Sequence, residues 1–224
     1  MTEKPSSPII SEHYLSTQRT ARFLTMGDSD QPSELWFACH GYGQLASAFI
    51  QDLSPLDDGT RLIVAPEALS RFYMDSSHQN VGASWMTRED RQNEIDDYLE
   101  YLDSVGASIF SRIDAAAIPV TVLGFSQGAA TAARWACRST FTIKRLILWG
   151  ETLPPELEDE ESVRRLRAMK LSVAGGTHER FFPEPRRAEL RERLGRLGIP
   201  FEEWSFEGGH RLDGKTLLEI ASQD

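Results

Sequence analysis

The sequence predicts an α/β domain with a mostly parallel central sheet and helices on both faces. Short apolar runs of four to six residues alternate with longer segments that carry apolar residues at three- and four-residue steps. The runs lack polar alternation, which is typical of strands covered on both faces. With 224 residues and 40% hydrophobic content, one domain over residues 1–224 can bury a full core, and we expect residues 1–10 to be flexible.

The elements follow from these patterns in chain order. The predicted strands are residues 13–18, 22–26, 35–39, 62–65, 120–125, 146–149, 171–174 and 201–206. The predicted helices are residues 89–113, 127–138, 185–197 and 212–221, the last capped by Asp213. Because ligands bind beyond the carboxyl ends of parallel strands, the residues that follow each strand are the candidates for a functional site.

Composition excludes several functions. A net charge of −10 argues against nucleic acid or an anionic membrane as the main partner. The first fifteen residues lack the basic start and apolar run of a signal peptide, and no apolar stretch is long enough for a membrane span, so we expect a cytoplasmic protein. Cys39 and Cys137 are not spaced as a metal site or a disulfide framework, and the oligomeric state stays open between a monomer and a homodimer.

The sharpest motif lies where the strand at 120–125 meets the helix at 127–138. It reads Gly124-Phe125-Ser126-Gln127-Gly128, a G-x-S-x-G turn between a strand and a helix. Such a turn exposes the serine hydroxyl at a helix N-terminus, where backbone N–H groups favour developing negative charge. The sequence therefore predicts Ser126 as a nucleophile, and the alternative is a tight turn whose serine only caps the helix.

A serine nucleophile needs a base and an acid, which follow it along the chain in hydrolases with this turn. Of the two histidines after Ser126, His210 lies between the last strand and the last helix, and we expect it to be the base. Glu179, in the turn after the strand at 171–174, is the preferred acid, and Glu151 is the alternative. The carboxylate would orient the imidazole without taking its proton.

Two backbone N–H groups are expected to receive the oxyanion. One belongs to Gln127, directly after the nucleophile, and the other to Tyr42, in the loop after the strand at 35–39. Glycines on both sides of Tyr42 let the backbone approach a substrate closely. His40, in the same loop, is expected to support the loop rather than to act in catalysis.

Taken in order, the motifs HGYG, SWM, GFSQG, WGETLPP, GTHERFFP and GGH resemble the carboxylesterase, lysophospholipase and acyl-protein thioesterase family of small α/β-hydrolases. The resemblance covers roughly residues 20–222. It implies an α/β-hydrolase fold without a large cap domain, a Ser–Asp–His triad, and neither cofactor nor metal. Ser126 and His210 carry over directly, whereas Glu179 stands where the family has aspartate in a G-x-x-D-x-x-V-P turn.

The expected activity is hydrolysis of a small carboxylic ester or thioester through an acyl-enzyme intermediate. The connections between strands are short, which predicts an open cleft, and apolar residues in the loops are expected to contact the substrate. These residues are Trp85, Met86, Leu153, Phe181 and Phe182, together with Phe72, Tyr73 and Met74 in the same loops. The alternatives are a hydrolase-fold protein that binds a ligand without catalysis, and a hydrolase of amide or peptide bonds.

Overall fold

The computed structural model describes residues 10–27, 30–113 and 118–223, and most of the segment expected to be flexible lies outside them. Nine strands form in these residues, seven of them in one sheet with the order β1-β3-β2-β6-β7-β8-β9. The strands are β1 (Phe23–Gly27), β2 (Glu34–Cys39), β3 (Arg61–Pro66), β4 (Ser70–Tyr73), β5 (Val81–Ser84), β6 (Val120–Phe125), β7 (Arg145–Trp149), β8 (Lys170–Gly176) and β9 (Phe201–Phe206).

The large sheet is parallel except at one edge. Strand β1 pairs antiparallel with β3, and the other five pairings are all parallel. Strands β6 and β7 are buried along their whole length, which explains why their sequences read as continuous apolar runs. The prediction of a mostly parallel central sheet is confirmed.

Helices cover both faces of the sheet. They are α1 (Ala46–Asp52), α2 (Arg91–Phe110), α3 (Gln127–Arg138), α4 (Glu160–Ala168), α5 (Glu184–Arg196) and α6 (Gly214–Ala221), with a short 3-10 helix at Ser54–Leu56. Because side chains alternate along a strand, Phe37 of β2 packs into one core with α2 and α3, while Trp36 packs into the other with α1 and α6. Asp213 caps α6 by accepting a hydrogen bond from Thr216 N over 3.1 Å, as predicted.

Three features of the fold differ from the sequence prediction. Residues 13–18 form no strand: they are exposed, and no neighbouring strand pairs with them. The segment between β3 and α2 contains an antiparallel hairpin of β4 and β5. Each of these strands has four residues, which is too short for a recognisable sequence pattern. Helices α1 and α4 were not predicted, because their 7 and 9 residues hold too few apolar positions for a periodic pattern.

In the described residues the connections between strands consist of this hairpin, single helices and turns, and the fold has no large cap domain. Cys39 and Cys137 are both buried and free, and burial raises the pKa of the Cys137 thiol to about 12. None of the helices in the described ranges is long and apolar enough to cross a membrane.

Candidate active site

Ser126 lies alone between the last residue of β6 and the first residue of α3. Its backbone has φ 53° and ψ −122°, a conformation that a residue with a side chain rarely adopts. Such strain persists only when the surroundings hold it, and here Ser126 N donates a hydrogen bond to the carbonyl of Trp149 over 2.8 Å. The turn is therefore fixed to the end of β7, with the serine partly exposed.

The two glycines of the turn are required by close packing. A Cβ on Gly124 would collide with the backbone of Gly128 and Ala129 at the start of α3. A Cβ on Gly128 would collide with the carbonyls of Cys39 and His40 at the end of β2. The absence of both side chains lets α3 start directly above the strand ends, which brings its free N–H groups to the edge of the sheet.

His210 and Glu179 meet at the same edge. His210 Nδ1 lies 2.7 Å from Glu179 Oε2, and the glutamate side chain is only 2% exposed. Since an ionised carboxylate can only accept, Nδ1 carries the proton of this hydrogen bond and Nε2 is left as the available base. The second carboxylate oxygen, Oε1, accepts from Phe181 N over 2.9 Å, so both oxygens of Glu179 have partners.

The two loops that carry these residues are joined by their backbones. Thr177 N donates to Phe206 O over 2.9 Å, and His178 N donates to Gly208 O over 2.8 Å. On the other side, Trp149 Nε1 donates to Arg211 O over 2.9 Å, next to His210. These bonds hold the loop after β9 between the ends of β7 and β8, where the imidazole reaches Glu179.

The His210 ring also packs beside the serine turn. Its centroid lies 4.6 Å from that of Phe125, the residue directly before Ser126, and a Cβ placed on Gly150 would lie 3.1 Å from His210 Cε1. No hydrogen bond between Ser126 Oγ and His210 Nε2 is present among the described residues. In ligand-free enzymes a hydrogen bond of this kind is often long and tightens only when substrate is bound.

The alternative acid, Glu151, is held by other groups. Its Oε1 accepts from Thr152 N over 2.9 Å and from Arg186 Nη2 over 2.8 Å. It forms no contact with His210 within the described chain. The geometry therefore favours Glu179 as the partner of the imidazole.

The loop after β2 contains the backbone N–H of Tyr42, which the sequence predicts as an oxyanion donor. The amides on either side are occupied: Gly41 N donates to Gln44 Oε1 and Gly43 N donates to Ala83 O, both within 3 Å. In the described residues Tyr42 N has no acceptor. Gln127 occupies the first position of α3, where a backbone N–H has no intrahelical acceptor.

His40 supports this loop from beneath. It is fully buried, its Nε2 accepts from Ala68 N over 3.0 Å, and its Nδ1 contacts the carbonyl of Gly41 over 2.8 Å. Burial lowers the pKa of His40, so the ring is neutral at pH 7. Both ring nitrogens are engaged with the backbone, which leaves His40 no free nitrogen for chemistry.

The Gln127 side chain has a role that sequence reasoning missed. Its Oε1 accepts from Trp85 N over 3.0 Å, and its Nε2 donates to Met86 O over 2.8 Å. Gln127, the residue after Ser126, is thereby tied to the segment that follows β5. No local pattern signals this pairing, because the partners are about forty residues apart and use backbone atoms.

Several residues expected to contact substrate lie in the core instead. Trp85, Leu153 and Phe182 are at most 2% exposed, so the expectation that they line the cleft is corrected. Trp85 packs on His40 with ring centroids 5.1 Å apart, and its indole N–H donates to His40 O. A loop sequence does not tell which apolar side chains face inward.

The remaining apolar residues do lie at the surface beside the site. Phe181 is 60% exposed and packs on His210 with ring centroids 4.8 Å apart, and Met86 is half-buried next to Gln127. On the other side, Phe72 stacks on Tyr42 at 5.2 Å. Tyr73 and Met74, more than half exposed, continue this apolar surface along the β4–β5 hairpin. Within the described ranges, no group of three or more His, Cys, Asp or Glu side chains is arranged to hold a metal ion.

The strand order of the large sheet, its mostly parallel direction and the helices on both faces define an α/β-hydrolase fold. Solved structures of the same fold include acyl-protein thioesterase 2 from Zea mays, with a TM-score of 0.70 at 17% identity over 90% of this chain and 96% of that one. They also include the esterase PE8, with a TM-score of 0.66 at 19% identity over 90% and 96%.

A phospholipase/carboxylesterase from Dyadobacter fermentans matches with a TM-score of 0.62 at 19% identity, over 90% of this chain and 94% of that one. No family profile matches the sequence, and no curated protein matches it either. The structural neighbours are thus acyl-protein thioesterases and carboxylesterases, and at these identities the likeness concerns the fold.

Proposed function

We propose that the protein is a serine hydrolase that cleaves carboxylic esters or thioesters through an acyl-enzyme intermediate. The observation that carries the proposal is the hydrogen bond between the buried Glu179 carboxylate and His210, formed beside the strained turn at Ser126. A carboxylate that orients an imidazole next to a serine at a helix N-terminus is the arrangement that acyl transfer requires.

The residues act in a fixed order in this proposal. His210 Nε2 takes the proton of Ser126 Oγ as that oxygen attacks the acyl carbon, and Glu179 stabilises the resulting imidazolium without accepting its proton. The amides of Tyr42 and Gln127 receive the negative charge on the former carbonyl oxygen. The imidazolium then protonates the leaving alcohol or thiol, and water repeats the sequence to release the acid and regenerate the serine.

The surface beside the site supports an acyl or small aromatic substrate. Phe181 on one side, and Tyr42, Phe72 and Met74 on the other, present apolar groups to solvent where polar residues would be expected. Without a large cap domain the site is open to a substrate on a larger molecule as well as to a small ester. The names of the neighbours, an acyl-protein thioesterase and carboxylesterases, support the same substrate class.

A fluorophosphonate probe tests the proposal directly. The probe should label the wild-type protein at Ser126, located by mass spectrometry of the tryptic peptides, and should not label Ser126→Ala. Ser222→Ala, which removes a surface hydroxyl that bonds to Glu219 O over 2.9 Å, is the matched control and should label as the parent does. A wild-type protein that fails to react, or that reacts equally after Ser126→Ala, would favour a binding protein without catalysis.

A substrate panel then separates the bonds that are cleaved. Matched acyl esters, thioesters and anilides of increasing chain length should show turnover of the first two classes and little of the anilide, because an amine is a poorer leaving group. Faster cleavage of the anilide or of peptides would assign the protein to amide hydrolysis instead.

A further inference from the structure

Arg187 of α5 is a buried cation without an acidic partner in the described parts of the chain. Only 8% of its surface is exposed. Buried charges are usually paired, because desolvation of an unpaired charge is costly. An arginine cannot relieve this cost by losing its proton. Its position must therefore be stabilised by the groups that it contacts.

Those groups are the two ends of the loop that carries Glu179. Arg187 Nη2 donates to the carbonyl of Gly176, the last residue of β8, over 2.6 Å, and Nε donates to the carbonyl of Phe182 over 3.1 Å. The guanidinium carbon also lies 5.3 Å from the centroid of the Phe182 ring. One planar group thus joins the start and the end of residues 176–182, with Glu179 in the middle.

The strand makes room for this contact. A Cβ on Gly175 would lie 2.6 Å from Arg187 Nη2. A side chain at this position would therefore displace the guanidinium. Phe182 is 1% exposed and anchors the far end of the loop in the core. The neighbouring Phe181, in contrast, donates its backbone N–H to Glu179 and is exposed.

We propose that Arg187 is a positioning residue, which clamps both ends of this loop and so keeps the Glu179 carboxylate on His210. The inference rests on the proposed hydrolase activity and adds to it a residue outside the triad. Charge-assisted hydrogen bonds to carbonyls are strong and directional, and a fork of two donors fixes both carbonyls at once. A lysine at this position keeps the charge but has no fixed fork.

The chain provides a matched control in Arg145 at the start of β7. It is buried to the same degree, at 9% exposed, and also donates to two backbone carbonyls, those of Ile220 and Gln223. Ile220 lies in the last turn of α6 and Gln223 lies just beyond the end of this helix, at the strand end opposite the site. Arg145→Lys therefore reports the general cost of replacing a buried arginine that holds backbone carbonyls.

The experiment measures kcat and KM for ester hydrolysis by Arg187→Lys, Arg145→Lys and the parent protein. The temperature lies below the melting temperature of both variants, and all three proteins are given the same ester. For Arg187→Lys, kcat should fall roughly 10- to 100-fold, because small misplacements of catalytic groups have effects of this size, while KM changes less than about 3-fold. For Arg145→Lys, kcat should stay within about 2-fold of the parent. The downfield proton NMR signal of the His210 Nδ1–H should broaden or vanish only in Arg187→Lys.

Gly175→Ala is the second variant, since it displaces the guanidinium without changing Arg187 and should reproduce the loss of kcat and of the NMR signal. Equal kcat values and intact NMR signals in Arg187→Lys and Arg145→Lys would overturn the inference. Ser126→Ala in the same assay separates the two proposals: if it abolishes turnover while Arg187→Lys does not change it, only the clamp is refuted.

Discussion

The amide of Ser126 donates a hydrogen bond to the carbonyl of Trp149 over 2.8 Å, and the indole of the same Trp149 donates to Arg211 O over 2.9 Å. One residue at the end of β7 thereby holds both the serine turn and the loop that carries His210. The spacing between Ser126 and His210 is therefore governed by the end of β7, and not by flexible side chains alone.

Removal of the nucleophile should abolish turnover without unfolding the protein. Ser126→Ala should lower kcat by a factor on the order of 10³ to 10⁶, because the base and the oxyanion amides cannot act without the attacking oxygen. Steady-state hydrolysis of p-nitrophenyl acetate measures the effect, and circular dichroism checks the fold. Turnover equal to that of the parent would refute the proposed activity.

The two candidate acids should differ strongly on substitution. Glu179→Gln should lower kcat by roughly 10²- to 10⁴-fold, because an amide cannot stabilise the imidazolium and favours the wrong tautomer. Glu151→Gln should cost less than about 3-fold, since Glu151 bonds to Thr152 N and Arg186 and not to the imidazole. The reverse order of the two variants would move the acid to the end of β7.

Glu179→Asp tests whether the extra methylene is required. The carboxylate bridges Phe181 N and His210 Nδ1, at 2.9 and 2.7 Å, and a shorter side chain cannot reach both without movement of the loop. We expect kcat to fall about 10-fold, a loss near 1.4 kcal/mol of transition-state stabilisation. An aspartate variant as active as the parent would show that the loop adapts to either acid.

Gly128 should not tolerate a side chain. The added Cβ of Gly128→Ala would collide with the carbonyls of Cys39 and His40, and should lower the free energy of unfolding by about 2–3 kcal/mol. Gly195→Ala, in α5 with no atom within 4 Å of the added carbon, is the control and should stabilise by about 0.5–1 kcal/mol. Urea unfolding measures both, and equal effects would contradict the packing argument.

The buried His40 should make the fold less stable in mild acid. Burial lowers its pKa, although the contact with the Gly41 carbonyl opposes the shift, so below the unfolded value of about 6.5 the unfolded chain binds more protons than the folded one. The free energy of unfolding should therefore fall as pH drops from 7 to 5, by at most about 1.4 kcal/mol per unit from this group.

Urea unfolding at several pH values checks this expectation. His40→Gln should flatten the slope between pH 7 and 5, whereas His13→Gln, which changes an exposed side chain, should leave it as in the parent. A slope that does not respond to His40→Gln would show that other groups govern the acid sensitivity.

Much of the fold could be predicted because parallel strands that are covered on both faces have continuous apolar sequences. Strands β6 and β7, for instance, lie within one residue of the predicted ranges. The meeting of Glu179 with His210 was predictable because few acidic residues follow strand ends between Ser126 and the last histidine. These inferences need only local sequence and the direction of the sheet.

Other features depend on contacts between distant segments, which no local pattern records. Phe181 and Phe182 are adjacent and chemically identical, yet one is exposed beside His210 and the other is buried under Arg187. Trp85 likewise packs on His40, about forty-five residues away, in place of lining the cleft. The orientation of a loop side chain is decided by tertiary packing, and so it became visible only in the structure.

Strand β9, which delivers His210, is the outermost strand of the large sheet and pairs on one side only. Outermost strands open more readily than central ones, with a free energy well below that of global unfolding. Each such excursion would carry the imidazole away while the serine turn, between two central strands, stays in place. On heating, the proposed ester hydrolysis should therefore decline before the bulk of the sheet melts, and its rate would report the local opening of β9.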